Sequence, residues 1–396
     1  VGGIHGSVDA CTIESDDDYA IIDVDVVSYY TSIGIANVVY PEHIGPEFCK
    51  VQQALKDERL EYLKKTPENL ALKLALNTAY GNSNNPHSVF YDPQYTMTIT
   101  INGQLLLCLL ADYLMDVPEL QMIQINTDGL TFKVPRNQMH QVDHIKTWWE
   151  KFTCLDLEQV EYNRMFIRDV NSYIAEGVDG SIKRKSCYAH ELKPGELEWH
   201  QNHSALVVAK VAEQVLLHGA DVRQTVINHP DIMDFMSRAK IPRASQLVLT
   251  TGGKEEILQN TTRYYVSTDG GALTKYSPPP KGCVVGEFKR ANKLSDDYYY
   301  SILASIIPGT HDPRIHTKNE SRYAERRDSI EKGWLVTECN DIAKASRLNV
   351  NYEYYIEAVR KIVDPLIKLP TSTYGTQGCQ QFTPSIPSNA PPQWSQ

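Results

Sequence analysis

The chain has 396 residues, 42% of them hydrophobic, a formal net charge of −10 and eight cysteines. That length supports a sizeable core in more than one subdomain, and the acidic balance argues against a generic nucleic-acid binder held by bulk positive charge. The longest apolar run, residues 105–111, is far shorter than a bilayer requires, which argues against a membrane partner. Net charge does not set local potential, however, and carboxylates are required wherever metal ions sit.

The chain opens on Val1 rather than Met and runs into Gly2-Gly3-Ile-His-Gly6 with no signal-peptide pattern, so it reads as an excised or processed piece of a longer protein. The cysteines, Cys11, Cys49, Cys108, Cys154, Cys187, Cys283, Cys339 and Cys379, form no C-x-x-C pair and have no histidine at zinc spacing. They are expected to be reduced, mostly core thiols of a cytoplasmic protein.

Tyr19-Ala-Ile-Ile-Asp-Val-Asp-Val-Val27 is a β-branched run suited to a buried strand, with Asp23 and Asp25 on one face of it. A carboxylate in such a strand is costly unless it is paired, hydrogen-bonded or metal-bound; a lone Asp in this place caps the next helix about as often. Residues 47–65 predict a charged helix with Val51, Leu55, Tyr62 and Leu63 at helical spacing. Thr66-Pro67-Glu68 is an N-cap with proline at the first position of a second helix, which places Lys73, Asn77 and Tyr80 on neighbouring turns of one face. Taken alone, Lys73 would be solvated and Tyr30 an ordinary core tyrosine.

After Tyr95-Thr-Met-Thr-Ile-Thr-Ile-Asn-Gly103, an apolar helix is expected from Gln104 to Met115, lying beneath the acidic sheet. Leu120-Gln-Met-Ile-Gln-Ile125 and Leu130-Thr-Phe-Lys-Val134 then flank Asn126-Thr-Asp-Gly129, a hairpin with an acidic tip.

Three segments in this order, Asp25-Val-Val-Ser-Tyr-Tyr-Thr-Ser32, Lys73-Leu-Ala-Leu-Asn-Thr-Ala-Tyr-Gly81 and Asn126-Thr-Asp128, resemble motifs A, B and C of B-family DNA polymerases. Each string alone is weak, and the ordered set is specific. The resemblance implies an α+β right hand: a palm with an antiparallel sheet, two-helix fingers and a mixed, mainly helical thumb. It divides the chain into palm 1–46, fingers 47–83, palm 84–190, thumb 191–369 and a Pro/Gln/Ser-rich disordered tail 370–396.

The activity implied is template-directed addition of deoxynucleotides to a primer 3′-hydroxyl with two Mg²⁺ ions, for which Mn²⁺ can substitute. Asp25, the Val26 carbonyl and Asp128 are the implied metal ligands. Lys73, Asn77 and Arg59 serve the triphosphate, Tyr30 lies under the incoming sugar and excludes a 2′-hydroxyl, Tyr80 packs on the nascent base pair, and Gly81 admits a close backbone approach. Asn126 replaces the first aspartate of the family's D-T-D, Thr31 replaces a usual proline, and Asp23 is a supporting candidate outside the ligand set.

Further on, Arg168-Asp-Val-Asn-Ser-Tyr-Ile174 and Asp179-Gly-Ser-Ile-Lys-Arg-Lys185 resemble the family's K-x-Y region and the basic strand after it, with Asn171 in place of the lysine and Ser186 in place of a common glycine. Tyr173, Lys183 and Lys185 are the implied primer contacts. Beyond about residue 190 the resemblance holds by position only. The clusters Arg238/Lys240/Arg243, Arg263-Tyr-Tyr265, Lys289-Arg290 and Arg326-Arg327 would grip duplex backbone there.

Only 24 residues precede Asp25, which leaves no room for an exonuclease domain, so the segment itself is expected not to proofread. Lys73 lies 48 positions after Asp25, and Asn126 45 after Gly81, leaving little space for the insertions of protein-primed relatives. The implied partners are primer-template DNA and dNTPs, with an upstream exonuclease domain or replication accessory proteins beside them; a viral or phage origin would place the chain in host cytoplasm. Two other readings stand against this one. A non-catalytic remnant that binds primer-template or a replication partner is motivated by Asn126, and an RNA-synthesising primase or transferase is disfavoured by Tyr30.

Overall fold

A computed structural model of the protein describes residues 2–64, 66–190, 204–277, 326–341, 345 and 347–367. The expected tail over 370–396, Cys283, Cys379 and Lys289-Arg290 lie outside the described residues.

The first half runs β1 (His5–Ser7), β2 (Cys11–Glu14), β3 (Tyr19–Val26), α1 (Tyr29–Ala36), α2 (Glu47–Glu61), α3 (Pro67–Gly81) and α4 (Pro93–Met115). It continues with β4 (Gln121–Asn126), β5 (Gly129–Pro135), α5 (Met139–Thr153), β6 (Leu157–Asp169), β7 (Ser172–Gly177) and β8 (Ile182–Arg184). The eight strands make one antiparallel sheet in the order β1-β4-β5-β3-β6-β7-β8, with β2 pairing the far part of the long strand β6.

Alternation along β3 sorts its side chains between two faces. Ala20, Ile22, Val24 and Val26 pack with Leu107, Leu110 and Leu114 of α4 and Trp149 of α5. Ile21 joins a smaller cluster with Ile123, Tyr162 and Tyr173 on the opposite face, so Asp23 and Asp25 share that second face. Each fully buried aliphatic side chain contributes roughly 1.5–3 kcal/mol by transfer from water, which fixes the register of β3.

Two helices differ from their predicted extents. α4 starts at Pro93, not Gln104, because the Asp92 carboxylate accepts the Tyr95 backbone N–H at 2.9 Å and Pro93 fills the first turn. Burial of Tyr95, Ile99, Gly103 and Leu107 on one face outweighs the modest helix propensity of its threonines and isoleucines. By length and composition this helix is apolar enough to cross a membrane; in the fold, this buried face is part of the core of the sheet. The other helix, α2, ends at Glu61, and Tyr62 turns to extended backbone. Its buried face is Phe48, Cys49 and Gln52, while Val51 and Leu63 are exposed.

The second half contains α6 (Leu206–His218), α7 (Val222–Ile227), β9 (Ser237–Lys240), β10 (Gln246–Thr251), β11 (Lys254–Leu258), β12 (Thr261–Ser267), β13 (Ala272–Ser277), β14 (Arg326–Ser329), β15 (Leu335–Glu338) and α8 (Tyr352–Ile367). Its strands form two antiparallel sheets, β11-β10-β13-β14 and β15-β12-β9. Among the described residues this region is therefore mixed rather than mainly helical: the β-branched and aromatic runs of β10 and β12 bury Leu247, Val248, Tyr264, Tyr265 and Val266. One core joins Val211 and Val215 of α6, Val359 and Val363 of α8, and Phe166 and Ile174 of the first sheet. Tyr188 stitches the halves by donating its hydroxyl to the Ile362 carbonyl at 2.6 Å.

Cys11, Cys49, Cys108, Cys154, Cys187 and Cys339 are free thiols.

Candidate metal and nucleotide site

β3 and β5 run side by side so that Asp25 pairs with Gly129, and the Val26 N–H donates to the Asp128 carbonyl at 2.8 Å. This register sets the Asp25 and Asp128 carboxylates at neighbouring strand ends. Gly129 is required for it: a Cβ there would stand 2.0 Å from Asp25 Oδ1 and 2.9 Å from the Val24 carbonyl oxygen. At the hairpin tip Thr127 is left-handed, with φ 57°. The tip is tied down by the Thr127 N–H donating to the Ile4 carbonyl at 2.9 Å and by β1 pairing with β4. The Asn126 amide turns away and donates to the Val170 carbonyl at 3.1 Å, serving as a structural tie.

Partial withdrawal from water, and then the neighbouring Asp23 charge, raise the Asp25 carboxyl to about 6 against the pull of Lys183. Asp128 is raised in the same direction by partial desolvation, while Lys185, Lys183 and Lys73 pull it back. Lys73 is exposed on α3, and its charge acts on Asp128; neither its side chain nor that of the exposed Asn77 forms a hydrogen bond or ion pair with a described residue.

Arg59 is brought in from α2. Its guanidinium donates to Ser28 Oγ at 2.8 Å, and Ser28, just beyond β3, is itself left-handed with φ 51°. Asn69 fixes the turn between α2 and α3 by donating to the Arg59 and Tyr62 carbonyls, both at 3.1 Å, at the end of α2 where the Arg59 carbonyl also accepts the Tyr62 N–H at 3.3 Å. Tyr30 stacks on Tyr80 with ring centroids 4.3 Å apart. Burial and then Tyr80 push the Tyr30 hydroxyl up to about 12, and the Tyr80 hydroxyl is hydrogen-bonded to Thr100 Oγ1 at 2.6 Å. Gly81 has open space where a Cβ would stand, so no close approach within the chain accounts for it.

The expected primer contacts separate. Lys185 is exposed. Tyr173 is buried at 3% exposure, and Lys183 turns inward onto Asp23 at 2.8 Å and towards Asp25 at 3.7 Å. Buried Asp23 also accepts from Thr131 Oγ1 at 2.6 Å and from the Tyr162 hydroxyl at 2.8 Å. Burial works against the Lys183 charge, but Asp23 overrides it and holds the ammonium protonated well above the usual lysine range. Gly129, Thr131 and Tyr162 are contributors that sequence reasoning missed. Only Gly129 left a signal, as the residue completing the Asn-Thr-Asp-Gly turn.

Among the described residues no group of three or more His, Cys, Asp or Glu side chains is arranged to hold a metal ion. The two carboxylates nevertheless fit Mg²⁺ in kind, since that ion is commonly held by one or two carboxylates with substrate phosphates and water completing its shell. The Asp25 carboxyl, raised first by desolvation and then by the Asp23 charge, is one whose ionised form a divalent cation would favour.

No protein-family model and no curated protein matches the sequence. Among solved structures the chain is similar to the family B DNA polymerase from the hyperthermophilic archaeon Pyrobaculum calidifontis, with a TM-score of 0.43 and 13% sequence identity over 96% of this chain and 49% of that one. The chain thus spans about half the length of the polymerase it matches.

Proposed function

We propose that the chain is a template-directed DNA polymerase that adds deoxynucleotides to a primer 3′-hydroxyl. The observation that carries this reading is the register that sets Asp25 against Gly129 and beside Asp128. Asp25, Asp128 and the Val26 carbonyl would hold the two Mg²⁺ ions, which when bound supply activation of the hydroxyl and charge neutralisation on the pyrophosphate. Lys73 and Arg59 grip the triphosphate and balance its charge, with Asn77 beside Lys73. Tyr30, stacked on Tyr80 and neutral at physiological pH, forms an apolar wall beneath the sugar, and Tyr80 meets the nascent base pair. Lys185, exposed beyond β8, contacts primer phosphate. In this reading the first sheet is a palm, the α2–α3 hairpin the fingers and the second half the thumb.

Asp128→Asn tests the assignment. Primer extension is expected to fall by about a thousandfold or more with the fold intact by circular dichroism, and near-native extension by that variant would refute it. A second reading, a chain that binds primer-template without extending it, is favoured by Asn126, which brings no charge and spends its amide on Val170. Binding without extension by the native chain would select it.

A further inference from the structure

Asp23 lies two residues behind Asp25 on the same face of β3, opposite Thr131, and it is fully engaged by the protein. Asp23 is 5% exposed and takes three donors: Thr131 on one oxygen, Tyr162 and Lys183 on the other. A buried carboxylate so satisfied has little left to offer a metal ion. The Lys183 ammonium lies near the rings of Tyr162 and Tyr173, 5.8 and 5.9 Å from their centroids, and its other side faces Asp25 at 3.7 Å. The network continues inward, since Gln124 donates to Thr131 Oγ1 at 3.2 Å. Such a lysine cannot leave without stranding a buried charge.

We propose that Lys183 is a positioning residue that removes Asp23 from the metal set. By cancelling the Asp23 charge and standing beside Asp25, the ammonium leaves Asp25 and Asp128 as the carboxylates available to divalent ions. The free chain therefore loads such ions weakly and depends on the triphosphate to complete their shells. This inference rests on the polymerase reading for its purpose, but its physical content concerns only the binding of divalent cations by the chain.

The test is Mn²⁺ binding to the nucleotide-free chain, read by the loss of the free-ion electron paramagnetic resonance signal, in native protein, Lys183→Met and Asp23→Asn/Lys183→Met. Losing one charge at this range is expected to tighten Mn²⁺ binding about tenfold in the single variant, and the double variant, with neither charge, returns to near the native value. The double variant also strands no buried charge, so it keeps the comparison interpretable where Lys183→Met folds poorly; Mn²⁺ binding by it much weaker or tighter than native overturns the inference. Unchanged or weaker binding in a folded Lys183→Met, or no Mn²⁺ binding by native and single-variant chains alike, overturns it too. Primer extension by the native chain, run in parallel, separates the two claims. Extension without the Mn²⁺ ordering defeats this inference alone, and the ordering without extension defeats the polymerase reading while leaving this one standing.

Discussion

The acidic end of the first sheet and the α2–α3 hairpin meet at one site, but they are built by opposite means. The acidic half is set by backbone: strand register, two left-handed residues and a glycine whose missing Cβ makes room for Asp25. The cationic half is set by side chains on a hairpin whose turn is clasped by Asn69 and whose outer faces leave Lys73, Asn77, Leu70 and Leu74 exposed. Backbone placement gives precision that tolerates little change, whereas exposed side chains give graded contributions.

Substitutions in each half should break that contrast if it is wrong. Among substitutions outside the two carboxylates, Gly129→Ala carries the largest expected effect, because the added carbon would lie 2.0 Å from Asp25 Oδ1 and 2.9 Å from the Val24 carbonyl oxygen, so the strand end must shift. Extension should fall by about a hundredfold or more; a variant with native rates would show that the register is not what positions Asp25. Lys73→Ala should be milder, lowering kcat/KM for the nucleotide by roughly 10–100-fold with an unchanged melting temperature, since the side chain is exposed and forms no hydrogen bond or ion pair with a described residue. A stability loss there would mean that the hairpin is as rigid as the sheet.

The smallest effect on the site sharpens the comparison from outside it. Glu213 on α6 is buried, which alone would raise its carboxyl, but hydrogen bonds from Arg184 and His190 hold it down at about 2 against an ordinary 4.5. A depressed carboxyl stabilises the fold above its unfolded value, and that stability is lost as pH falls through the folded one. Glu213 should therefore contribute a loss of about 2–3 kcal/mol between pH 4.5 and 2 in urea titrations. Glu213→Gln should remove this share of the acid dependence, leaving that of Asp234 and Asp92, whose carboxyls are also held down, and should leave nucleotide binding at neutral pH untouched.

Much of this arrangement is legible in the sequence where local chemistry decides it. The β-branched run 19–27 becomes β3 with Asp23 and Asp25 on one face, and Thr66-Pro67 opens α3 through a Thr66 cap on the Asn69 N–H at 3.3 Å. The segment 95–103 was not legible as helix, because its threonines and isoleucines favour strands and only burial against α1 makes it helical. The inward turn of Lys183 was hidden for another reason. It lies 160 residues from Asp23, and a basic, alternating strand reads as a solvent-facing one until its partner is known.

The most direct test of the central claim is extension of a labelled primer-template by this chain with Mg²⁺ and dNTPs, beside Asp25→Asn. The account predicts template-directed extension by the native chain and its loss in the variant, with primer-template binding retained by both. Equal extension by the two chains, or binding without extension by the native one, would contradict it.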